Sequence, residues 1–176
     1  MFDKKSTAIS YLDLVEASNG LASCDFSSDE LVKACLNQIE LHDTHINAFT
    51  HINVKALAEA KKSDLRRSSG TTLSKLDGIP IAVKDNIDVM GLPTTNGLNT
   101  KWCPEEDAEI IKNLKSKGII ILGKPIIPQY AAGTLTEPIV SVPRAAIQKS
   151  APTAAPDPPL LPPGVPSFTF GLNVFP

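Results

Sequence analysis

The segment LDGIPIAVKDN, residues 76–86, decides the fold of this chain. The apolar, β-branched run 79–83 has the length and composition of a short strand. Gly78 punctuates its start, and Lys84-Asp85-Asn86 ends it with charge and turn chemistry. Pro80 cannot donate to a ladder, so it belongs at a sheet edge or at a first strand position.

Lys84 is open to two readings. A lysine at a strand end most often lays its stem along apolar surface and keeps its ammonium in water. Drawn into a dry pocket, the amine is pushed toward neutrality and can take a proton from a hydroxyl nucleophile. Asp85 and Asn86 either hold the neighbouring backbone or form an Asx turn.

Outward from this strand the chain alternates helix and strand. In SSDELVKACLNQIELHD, Ser27 and Glu30 have the spacing of a capping box, and Val32, Cys35, Leu36 and Ile39 share one helical face. This predicts a helix over 28–42. NAFTHIN follows as a short extended or loop segment. VKALAEAKKSDLRR predicts a second helix over 53–67, with Val54, Leu57, Ala58 and Leu65 inward and packed on the first helix. After a polar loop, Asp107 opens DAEIIKNLKSK, with Ile110, Ile111 and Leu114 inward, lysines at the C-terminal end and Gly118 as the stop. IIIL is a buried strand and GKPIIPQYAAG a turn with a short segment. The order is that of an α/β layer, and there is no internal repeat.

Composition sets the outer limits. The chain has 176 residues, 42% hydrophobic and 20% charged, with net charge −2. That suits one core-forming domain and gives no basic surface for nucleic acid. No apolar run reaches the roughly 20 residues of a membrane span, and no signal-peptide pattern opens the chain. Cys24, Cys35 and Cys103 are odd in number and scattered, which predicts reduced thiols in a cytoplasmic protein and neither a disulfide framework nor a zinc cluster. Cys103 lies in no reactive-thiol motif. His42, His45 and His51 lack a completing carboxylate or thiol, so no metal is expected. GTLTE, residues 133–137, reads as an ordinary turn, and no phosphate-loop pattern is present.

LDGIPIAVKDNIDVMGLPTTNG, DAEIIKNLKSKGIIILGK and PQYAAGTLTE, in that order and spacing, resemble the amidase signature family over about residues 8–140. The resemblance implies an α/β fold with a mixed sheet flanked by helices, of which this chain carries the N-terminal part. It implies hydrolysis of a small-molecule carboxamide by a Ser–cisSer–Lys triad, without cofactor or metal. Lys84 matches the family lysine and would act as base through a bridging serine. Ala131 and Ala132 match positions expected to line an acyl pocket.

The chain departs from that pattern at Gln129, where the family has an acidic residue, and at Pro138, where it has asparagine. The Gly/Ser-rich block carrying the bridging serine is replaced by PTAAPDPPLLPPG, and neither Ser141, Ser150 nor Ser167 sits in a matching context. Eight of the 15 prolines fall in residues 151–176. Reading the third base of each codon with the first two of the next, residues 153–164 permit GGSGSAAAAAG, close to the missing block. The expectation is therefore a partial amidase-signature domain over 1–150 and an irregular tail over 151–176, read out of frame, with Phe168, Phe170 and Phe175 docking on exposed surface. The chain as given is expected to stop short of the nucleophile and to be inactive. Three alternatives stay open: part of the catalytic polypeptide of a glutamine-dependent amidotransferase (its A component), a non-catalytic interaction module, and an unrelated α/β domain. Nothing in the sequence sets an oligomeric state, so a homodimer is left open.

Overall fold

The computed structural model describes residues 9–132. The expected boundary at residue 150, the form of the tail, the three phenylalanines, the GTLTE turn and Ser141, Ser150 and Ser167 lie outside those residues.

Helix α1, Leu14–Ala22, starts at a capping box in which Glu16 N–H donates to Asp13 and Asp13 N–H to Glu16. The sequence reading assigns no element here. Helix α2, Ser28–Ile46, starts at the expected Ser27–Glu30 box. It runs four residues past the expected end because HDTHI contains no breaker, and it stops only where Asn47 turns left-handed at φ 52°. Strand β1, Phe49–Ile52, follows directly.

Helix α3, Ala56–Ser68, packs on α2 as expected, but through a different face. Ala56, Ala60 and Ser63 are buried, Val54 is 91% exposed, and Ala58 and Leu65 are also exposed. Only Leu57 of the expected set packs inward. The small residues let α3 approach α2 and the sheet closely, and the helix rotates its bulkier residues outward to do so.

Strand β2, Pro80–Ala82, is the run read from LDGIPIAVKDN. Helix α4, Glu109–Ser116, begins two residues after Asp107, whose carboxylate instead accepts Met90 N–H and the Lys115 ammonium. Ile111 is buried and Leu114 partly so, while Ile110 is 37% exposed. Strand β3, Ile120–Pro125, completes the sheet, and a single 3-10 turn follows at Gln129–Ala131.

The sheet order is β1-β3-β2, with β1 antiparallel and β2 parallel to β3. It is therefore mixed, and β2 is an edge strand among the described residues, as Pro80 predicts. Central β3 is buried on both sides. Ile119 and Ile121 join Val83, Val89, Leu92 and Ile111 under α4. Ile120 and Leu122 point the other way, onto Val32, Ala56 and Ala60 of α2 and α3. A third cluster of Ala17, Leu21, Phe26, Leu31 and Ile79 ties α1 to the start of β2.

Just before β2, Asp77 is 0% exposed. Arg66 donates to both its oxygens at 2.9 and 2.6 Å, and Leu73 N–H donates at 2.9 Å. Burial pushes the Asp77 carboxyl up, but these donors outweigh it and hold the group below the ordinary carboxylate value.

Candidate functional site

The site is built where β2 ends. Val83 N–H still pairs with Gly123 O of β3 at 3.0 Å. The chain then turns: Ile87 N–H donates to Lys84 O at 3.0 Å. Lys84 is exposed on this turn. It stands at its strand end, as expected, and its side chain reaches water.

Asp85 is 0% exposed. The sequence reading has it hold the immediately neighbouring backbone or form an Asx turn. Its carboxylate instead accepts Thr95 N–H at 3.3 Å and the Thr95 hydroxyl, and its carbonyl accepts Asn96 N–H at 3.3 Å. Its counter-charge is Lys124 of β3, whose Nζ lies 3.6 Å from Asp85 Oδ1.

Lys124 is itself 0% exposed. Its ammonium donates to Ile87 O at 2.6 Å and to Thr94 Oγ1 at 3.0 Å. Burial lowers its pKa, while Asp85 and then Asp88 pull it back toward the ordinary value. Sequence reasoning missed this residue because GKP looks like a turn. The strand runs on through Gly123, Lys124 and Pro125, since Lys124 pairs in register with His51 on β1. No local signal marks it, because Gly123 separates Lys124 from IIIL and glycine ordinarily punctuates a strand.

His51 borders the pair. Burial lowers its pKa, with Asp85 opposing that shift and Lys124 adding to it, and its Nδ1 is buried without a hydrogen-bond partner. His42 and His45 lie in α2, away from β1 along the chain. Among the described residues no group of three or more His, Cys, Asp or Glu is placed to hold a metal ion.

The loop 94–97 joins this turn to the 3-10 turn. Asn96 N–H donates to Asp85 O, and Asn96 O accepts Tyr130 N–H at 2.8 Å. Gly97, at φ +75°, packs so tightly that a Cβ there would stand 2.7 Å from Ile127 O. Lys84 and the predicted Ala131 and Ala132 are thereby placed on segments linked through Asn96, and all three are exposed. The arrangement presents a primary amine on a fixed turn, with the neighbouring threonine hydroxyls engaged internally. Such an amine can exchange a proton with a group brought to that surface. Among the described residues no helix is long and apolar enough to cross a membrane, and the three cysteines are unpaired.

A family model described as Amidase matches residues 30–150. The chain is 38% identical over 134 residues to the A component of glutamyl-tRNA(Gln) amidotransferase from Chloroflexus aggregans, covering 74% of this chain and 28% of that protein. It is 34% identical to the protein of the same name from Salinispora arenicola, over 74% of this chain and 27% of the relative. The chain thus spans little more than a quarter of the length of these curated relatives. Among solved structures, native peptide amidase from Stenotrophomonas maltophilia superposes with a TM-score of 0.68 at 27% identity, over 72% of this chain and 27% of that one. An amidase family protein from Bacillus anthracis superposes with a TM-score of 0.64 at 33% identity, over 70% and 25%. The match over most of the described sheet, helices and Lys84 turn, at these identities, makes this chain a member of the amidase signature family.

Proposed function

We propose that this chain carries the general base of an amidase-signature amidohydrolase, and that the base is Lys84. The observation that supports it is the placement of an exposed amine on a turn fixed from beneath by a buried carboxylate. In the reaction, the amine takes a proton from a nucleophilic serine through a bridging serine. The serine oxygen bonds to the carboxamide carbon, the C–N bond breaks, and the nitrogen leaves as ammonia carrying a proton. Water then hydrolyses the acyl ester and restores the serine. Ala131 and Ala132 would border the acyl group. Neither serine is assigned to a residue of this chain, and the proline-rich segment 151–164 stands where the family's Gly/Ser block belongs.

The names of the curated relatives favour glutamine as the carboxamide and assembly with further polypeptides. Ammonia release from glutamine and from simple aliphatic and aromatic amides separates the two substrate classes. The assay is run on the chain as given and on a full-length version in which the reading frame is restored from residue 138 and continues through the nucleophilic serine. Release in the restored protein alone, abolished by Lys84→Met, is the expected result. Release that survives Lys84→Met removes Lys84 from the chemistry. Release by the chain as given overturns the out-of-frame reading.

A further inference from the structure

We propose that Lys124 is a positioning residue for Lys84: with Asp85 it forms a buried, charged cross-tie that fixes the turn carrying Lys84 against β3 and the 94–97 loop. Its consequence for catalysis rests on Lys84 being the base, whereas the cross-tie stands on geometry alone.

The Lys124 ammonium has three donor hydrogens. It reaches Ile87 O, Thr94 Oγ1 and, at 3.6 Å, Asp85. Ile87 is also the residue whose N–H closes the turn onto Lys84 O. Its backbone is therefore held at both the N–H, by Lys84 O, and the C=O, by Lys124. Asp85 extends the tie in the other direction, to Thr95 through its carboxylate and to Asn96 through its carbonyl. The backbone anchors of residues 84–87 thus lead within one or two bonds to a single ammonium on β3. The Lys84 side chain stays outside this network and faces the surface.

Stability alone does not account for such a pair. An apolar pair of similar volume avoids the desolvation cost that burying two charges incurs. It would also leave Ile87 O without its donor and the turn free to reorient. What the charged pair supplies is a fixed geometry, one residue from Lys84, joining three segments that are distant in sequence.

Reductive 13C-methylation of the full chain reports on Lys84, because Lys124 at 0% exposure is shielded from the reagent. The Lys84 resonance is identified by its absence in Lys84→Arg, and amide exchange is followed at Ile87 and Asn96. Lys124→Met is compared with the charge-neutral double variant Asp85→Asn/Lys124→Met. Both variants are expected to exchange Ile87 and Asn96 at least tenfold faster relative to Ile120, whose amide pairs with Ile79 O. Both should split or broaden the Lys84 resonance while those of Lys33 and Lys112 stay put. The double variant should regain thermal stability lost in the single one, so a changed Lys84 signal there reflects position and not unfolding. If Lys124→Met does not fold, the double variant decides by the same two readouts. Wild-type exchange and a wild-type Lys84 resonance in the double variant overturn the proposal. Hydrolysis that survives Lys84→Met while these signals respond would sink the catalytic reading and leave the cross-tie standing; the converse sinks only the cross-tie.

Discussion

Two buried aspartates bracket β2, each three positions from the strand, and they are held in opposite ways. Asp77 precedes it and takes the guanidinium of Arg66, which is 28% exposed and keeps part of its hydration. Asp85 follows it and takes the ammonium of Lys124, which is 0% exposed. At the first end the charge is paired with a planar fork from a helix, with two short hydrogen bonds. At the second end the separation is longer, and the cation spends its donors on backbone and hydroxyl oxygens as well. The first pair anchors α3 to the sheet. The second, costlier pair stands beside Lys84, where geometry matters more than stability.

The sharpest way to break this comparison is Lys124→Met. It strands Asp85 without its counter-charge and Ile87 O without its donor, and should cost about 3–5 kcal/mol in urea unfolding. A loss below about 1 kcal/mol would erase the distinction between the two ends. At the other end, Gly118→Ala should cost about 2–3 kcal/mol. Gly118 sits at φ +84°, and a Cβ there would stand 2.4 Å from Asp77 Oδ1. Arg66→Met should cost somewhat less, about 1–3 kcal/mol, because Leu73 N–H still serves Asp77 and the lost cation was partly solvated.

Acid sharpens the same contrast. Asp77 has its pKa lowered in the fold, so the stability it contributes is present above the unfolded value of 3.8 and is lost as pH falls through the folded value. Unfolding curves of wild type and Arg66→Met should therefore converge as pH drops below 3.8. Curves that stay parallel would place the pair's contribution elsewhere. The smallest effect on stability is expected from Lys84→Met, within about 1 kcal/mol, since the side chain is exposed and outside the network. A larger loss would make Lys84 part of the frame it is read as standing on.

The sequence revealed most where local chemistry and tertiary packing agree. The Ser27–Glu30 box marked the start of α2, Pro80 took the first position of β2, which is an edge among the described residues, and the continuous apolar run IIIL matched a strand buried on both faces. Helix α1 carries the same kind of box, at Asp13 and Glu16, yet the sequence reading assigns no element there. The buried face of α3 was not legible, because close helix packing selects Ala56, Ala60 and Ser63 over larger residues that periodicity ranks higher. Lys84 was singled out through a contiguous motif. Lys124 was not, because its meaning lies in Asp85, Ile87 and Thr94, which only the parallel pairing of β2 and β3 brings to it.

That pairing also orders events in time. Helices α2 and α3 are separated only by β1 and can meet early, whereas β2 waits for β3 across the stretch 83–119. Lys84 emerges from the ribosome forty residues ahead of Lys124, as 84 stands to 124. Until the far end of β3 docks, the turn at Lys84 has no cation beneath it and Asp85 stays hydrated. The segment proposed to do chemistry thus reaches its final shape only once β3 is in place, and it loses its anchor when β3 is peeled away.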